Sequence, residues 1–261
     1  MSDLGDVLEL LHTSTAHWRS LRLQGHEWRH SETFRRAWEH EVGNVGNVPG
    51  QWRPLQPRSR FHLSFKRRGV TRVELRPITP VASLAAGKEP DESSEEWRLW
   101  LAKPNKIRTQ FRVGTENVTA VFIGKRWWSW TTLGYKTNEG DVNVGHGLGP
   151  AEVLMNPGPH LGSLQLRVDD RSTFLSRPVY LVTAIPLVAD PPNFNLTVHM
   201  LGMGADVYKM VVDAELGILL RTQAEFEGVA FRVIEIDELA ANEKLGESLF
   251  DPKALRHEGL E

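Results

Sequence analysis

The chain has 261 residues, a formal net charge of -2, 40% hydrophobic residues and no cysteine. The hydrophobic fraction is enough for a packed core and argues against global disorder, while the near-neutral charge argues against a nucleic-acid binder, which carries a strongly basic domain. The lack of cysteine excludes disulfides and thiolate metal sites.

Asp3 to Thr15 reads as a helix, with Leu4, Val7, Leu8 and Leu11 at helical spacing and Ser2 or Asp3 able to cap it. Its start, MSDLGDVLELL, is acidic and has no basic stretch leading into an apolar one. It is therefore not read as a secretory signal, and a cytoplasmic location is expected. No uninterrupted apolar run approaches a membrane span, so no transmembrane segment is expected. Leu21 to His30 looks like a strand. Ser31 to Glu41 fits a short helix or a continuing strand, and the sequence does not decide between them. Gly43 to Pro57 is a Gly-, Asn- and Pro-rich loop, Arg60 to Leu75 reads as two strands, and Pro77 to Ser94 as a surface loop.

The densest run of strand signals lies between Glu96 and Trp130. Trp97, Leu99 and Leu101 share one parity; after Lys103-Pro104-Asn105, Ile107, Phe111 and Val113 share one parity, with Arg108, Gln110 and Arg112 opposite. Such alternation puts apolar groups on one face of a sheet. Asn117 to Ile123 is apolar on both faces and reads as a more central strand. A turn at Gly124-Lys125-Arg126 leads into a strand from Trp127 to Thr132. Connections this short force antiparallel neighbours. Five of the nine tryptophans fall in this run.

Gly134 to Gly149 is glycine-rich and polar, and Pro150 to Leu161 predicts a short helix begun by Pro150 and stopped by Pro157. Leu164 to Asp170 and Val179 to Pro186 read as strands, with Asp169-Asp170 as turn residues. Tyr208 to Asp213 and Gly217 to Phe226 form a hairpin, and Val229 to Ile236 is the last strand before an acidic tail from Leu239. About ten short strands with few helices predict an α+β chain, mainly antiparallel β, in one domain over 1–261.

His26-Glu27-Trp28-Arg29-His30 matches the zinc-peptidase pattern H-E-x-x-H. The pattern works only on a helix, where both histidines share a face and the glutamate serves as general base. Gly25 and the alternating Leu21-Arg22-Leu23-Gln24 instead predict a strand. On a strand the two histidines lie roughly 13 Å apart, too far to share an ion. No metal, cofactor or catalytic residue is expected, and a zinc metallopeptidase is the lesser alternative.

Trp97 to Arg108, containing Lys103-Pro104-Asn105, resembles the strand–KPN–strand pattern of LolA-like lipoprotein carriers. Gly124-Lys125-Arg126-Trp127-Trp128-Ser129-Trp130 resembles their "dGk.lW.y" strand, and Val212 to Arg221 their "vD.e.g.i.r" hairpin, ending near Leu249-Phe250-Asp251-Pro252. The resemblance implies the LolA-like, LppX and RseB superfamily: a curved half-barrel sheet with a helical lid, binding lipid acyl chains between sheet and lid. It implies a non-enzymatic binding protein for a hydrophobic small molecule or lipid. The alternative is an RseB-like sensor or interaction module that binds a protein partner.

The expected ligand-binding wall is Leu99, Leu101, Ile107 and Phe111, joined by Trp128 and Trp130 and covered by Leu154, Met155 and Leu161 from the lid. The same side chains could instead pack directly against the lid, as apolar stripes usually do.

Overall fold

The structure is a computed structural model that describes residues 3–46, 91–113, 116–131, 134–138, 149–155, 157–187 and 201–255. The strands expected between Arg60 and Leu75 lie outside the described residues. Helix α1 (Asp3–Thr13) leads into strand β1 (Ser20–His30) and helix α2 (Ser31–Gly46). Five strands follow: β2 (Glu92–Ala102), β3 (Lys106–Val113), β4 (Glu116–Ile123), β5 (Arg126–Thr131) and β6 (Gly134–Asn138). Short helices α3 (Ala151–Met155) and α4 (Gly158–Leu161) precede β7 (Leu164–Phe174), β8 (Arg177–Pro186), β9 (Val207–Asp213), β10 (Leu219–Phe226) and β11 (Val229–Ala241).

These strands form one open, curled sheet in the order β6-β5-β4-β3-β2-β1-β11-β10-β9-β8-β7. Every neighbouring pair is antiparallel. The sheet is thus two five-strand meanders, β2–β6 and β7–β11, joined side by side by β1. The expected mainly antiparallel α+β architecture is the one observed.

Several boundaries differ from the sequence reading, each for a local reason. Ser31 to Glu41 is helical, as part of α2, because the His30 imidazole caps it: Thr33 N–H donates to His30 Nδ1 at 3.3 Å. The helix expected after Pro150 ends at Met155, before the Pro157 stop, and a second short helix carries Leu161. Asp169 and Asp170 are not turn residues. They sit inside β7, whose polar second half is the sheet edge, beside a register shift between Val168 and Asp170. The turn comes later, at Leu175 and Ser176, with φ of 50° and 60°. Positive φ at both central residues is the type I′ geometry, one of the two favoured for a two-residue hairpin. The polar stretch after Gly134 contains the edge strand β6, and β11 runs on to Ala241.

The lid side of the sheet, its inner face, holds the main core. Leu21, Leu23, Leu99, Ile218, Leu219, Leu220, Phe231, Ile234 and Ile236 are all at most 1% exposed. Helix α1 packs on β7 and α4, α2 on β11 and β1, and α3 on β10 and β2. Only Val7 and Leu11 of α1 are buried; Leu4 and Leu8 stay 36% and 37% exposed. The α1 helix is seated on the β9–β10 turn, where Gly217 has φ of +66° and a Cβ would stand 2.3 Å from the Leu10 carbonyl oxygen. That turn is held by Asp213, which is 0% exposed, pairs with Arg177, and accepts the backbone N–H groups of Glu215 and Leu216 at 2.9 and 2.8 Å.

The outer face carries a second, smaller core under β2–β5. After β11 the chain crosses back, with the Asn242 N–H donating to the Ser20 carbonyl at 2.9 Å. Leu245, Leu249 and Phe250 then pack against Trp100, Ala102, Val121, Ile123, Trp128 and Trp130.

Candidate functional site

Strand register decides which side chains share the inner face. The turns between β2 and β5 are short, so the pairing can be counted residue by residue. Leu101 lies opposite Ile107, Ile107 opposite Phe122, and Phe122 opposite Trp127. This cross-strand row faces inward. A second inward row is Leu99, Thr109, Ala120 and Ser129, and a third is Trp97, Phe111 and Val118.

Seven of the expected site residues therefore come together. Leu99, Phe111, Leu154 and Met155 belong to one buried apolar cluster, with Leu101, Ile107 and Leu161 half-buried against it. The lid touches the wall directly at its first turn. Gly149, at φ +65°, lies so close to Phe111 that a Cβ there would stand 2.8 Å from the ring. Wall and lid thus meet at Phe111, and Leu99 and Leu154 of the same apolar cluster are both 0% exposed.

Trp128 and Trp130 do not join this wall. Register pairs Val121 with Trp128 and Thr119 with Trp130, which puts both indoles on the outer face, in the core closed by Phe250. The cause is the two-residue turn at Gly124-Lys125, which sets Ile123 opposite Arg126 and so reverses the parity between β4 and β5. The residues the sequence reading missed are Phe122 and Trp127. The signal that finds them is that same turn, counted from the apolar parity of β2 and β3.

The three inward rows differ in exposure. Leu99, Thr109, Ala120 and Ser129 are at most 1% exposed, although Thr109, Ala120 and Ser129 are small. Leu101, Ile107 and Phe122 remain half-buried, next to the buried Trp127. The Trp127 indole N–H makes no hydrogen bond among the described residues.

The H-E-x-x-H segment lies on β1, as the sequence predicts, and its two histidines and its glutamate do unrelated things. His30 caps α2. Glu27 points to the inner face, 3% exposed, and accepts from Arg232 Nε at 2.7 Å and Arg29 Nε at 2.6 Å. Burial pushes the Glu27 carboxyl up, but Arg232 and Arg29 outweigh it and hold the group below the ordinary glutamate value. A carboxylate fixed this way is a poor proton acceptor. Its neighbour Glu95 is pushed up by burial and by Glu27, against the pull of Arg29. His26 points to the outer face, and its Nδ1 shares a hydrogen bond with Asp237, 3.0 Å from Oδ2.

No family model matches this chain, and no curated protein matches it. Among solved structures, the chain is similar to MucB at 10% identity, covering 96% of this chain and 63% of that one, with a TM-score of 0.48. The Mycobacterium tuberculosis lipoprotein LppX is similar at 8% identity, with 96% of this chain and 100% of that chain covered and a TM-score of 0.44. A LolA superfamily protein from Nitrosomonas europaea gives 6% identity, 95% and 97% coverage, and a TM-score of 0.32. All three TM-scores lie below 0.5. The chain spans about three fifths of the MucB chains it matches.

Proposed function

We propose that this is a non-enzymatic binding protein for a hydrophobic ligand, a lipid or a single acyl chain, held on the inner face of the β2–β5 meander. The observation that carries this reading is the row Leu101, Ile107, Phe122 and Trp127. It is apolar and continuous across four strands, half-buried at Leu101, Ile107 and Phe122, and it borders the closed core under α3. The adjacent row of Leu99, Thr109, Ala120 and Ser129 is closed, so the ligand would lie along the Leu101 row. Burying apolar surface there yields about 25 cal/mol per Å², which suffices for micromolar binding of one acyl chain after the costs of association.

The test is titration of the full chain with a fluorescent fatty-acid probe, alongside native mass spectrometry of gently purified protein. Saturable probe binding is expected, weakened by Leu101→Trp, which fills the row. Absence of wild-type binding together with a large loss of melting temperature in Leu101→Trp would mean that the row is ordinary core. Saturable binding of a peptide but not of the fatty acid would move the reading to a protein partner.

A further inference from the structure

We infer that the outer face of β1 and β11 carries a divalent transition-metal site, suited to Zn2+, formed by His26, Glu235 and Asp237. One donor atom from each residue lies within 4.8 Å of the other two. The three come from adjacent strands: His26 stands directly opposite Glu235, and a register shift at Gln24/Gly25 displaces the strand next to Asp237. His26 Nδ1 is 3.1 Å from Asp237 Oδ1 and 3.0 Å from Oδ2, close to equidistant. Two donors bound to one zinc at ordinary Zn–N and Zn–O lengths stand about 3.3 Å apart. The imidazole and carboxylate are thus already near the separation of two ligands on one ion. One imidazole with two carboxylates is a borderline nitrogen–oxygen set that suits zinc and its first-row neighbours better than Ca2+ or Mg2+.

The surrounding charge is compatible with a cation. Glu96 on β2 stands directly opposite His26 on the same face, adding a third carboxylate. Arg221 Nε is 3.2 Å from Glu235 Oε2, so the ion would take the other Glu235 oxygen. Arg22, the next cation along β1, is engaged by Glu243 at 2.7 Å and Glu238 at 3.9 Å. Glu27 and His30 take no part: Glu27 faces inward and His30 caps α2. The first histidine of the H-E-x-x-H segment thus has its ligand partners about 210 residues away in sequence, not four.

The experiment is a Zn2+ titration of the chelator-stripped full chain in competition with a chromophoric chelator. One equivalent should bind with a micromolar or lower Kd. Asp237→Asn and Glu235→Gln keep side-chain shape, and each should weaken binding by at least about tenfold, since even indirect ligand supports cost 10–100-fold. His12→Ala, on exposed α1, should bind as the wild type does. Absence of stoichiometric binding would overturn the site. So would affinity unchanged in both carboxamide variants, or lost in His12→Ala, since the ion would then sit elsewhere. The site and the acyl-binding face lie on opposite sides of the sheet, so either can fail without the other.

Discussion

The two meanders use the same strand chemistry and bury their inner faces differently. In β7–β11, Tyr208, Val212, Leu219, Leu220, Ala224, Phe231, Ile234 and Ile236 are all 0% exposed. Helices α1, α2 and α3 lie on β7, β11 and β10, which accounts for that closure. In β2–β6 the helical cover reaches β2 through α3, and Leu101, Ile107 and Phe122 on the neighbouring row stay half-buried. That meander has a second core on its outer face instead, closed by Phe250. The C-terminal meander is closed over β9–β11, while Leu166, Val168 and Tyr180 at its far edge stay half-buried. The N-terminal meander keeps Leu101, Ile107 and Phe122 within reach of solvent, where the proposed site lies.

The largest expected effects break the scaffold. Asp213→Ala leaves Arg177 without its buried partner and two backbone N–H groups without their acceptor, and should cost about 3–5 kcal/mol, read from urea midpoints. Glu27→Gln should also destabilise, and should flatten the acid limb of stability. The Glu27 pKa is lowered by Arg232 and Arg29 against the upward push of burial. Its contribution is therefore fully present above the unfolded glutamate value, about 4.3, and is lost as pH falls through the lower folded value. Urea midpoints from pH 7 downward should fall more steeply for the wild type than for Glu27→Gln; parallel curves would refute the assignment.

Truncations sharpen the contrast itself. Leu219→Ala, in the closed half, should cost about 2–5 kcal/mol. Ile107→Ala, in the half-open row, should cost distinctly less while weakening fatty-acid probe binding. Equal losses in the two would erase the distinction between the meanders. Gly25→Ala probes their joint. A Cβ there would stand 2.1 Å from the Glu235 carbonyl oxygen and 2.5 Å from the Trp97 ring. Backbone must move to admit it, at about 1–3 kcal/mol. The smallest expected effect concerns the outer core: Trp128→Phe should leave probe binding unchanged, because residue 128 faces away from the proposed site.

Sequence alone determined the local quantities. The alternation of Trp97, Leu99 and Leu101 against Ile107 and Phe111 fixed one face of β2–β3, because a strand has a period of two and a short turn ties its neighbour's register. Glycine at 25 and the alternation before it predicted a strand through His26 to His30, and β1 is extended. Four of the nine expected site residues, Leu99, Leu101, Ile107 and Phe111, share the inner face of β2–β3 because of that period and that turn. Trp128 and Trp130 were misplaced because aromatic character is the same on either face, and only the two-residue turn after Ile123 carries the parity.

Tertiary structure alone decided what covers each face. The pairing of β1 with β11 joins residues some 210 positions apart, and no periodicity encodes a contact at that separation. From it follow the clamp of Arg232 on Glu27 and the meeting of His26 with Glu235 and Asp237. The crossing of the C-terminal segment beneath β2–β5 is of the same kind. Hydrophobic pattern states that a face must be buried, but which segment buries it depends on where the folded chain brings that segment.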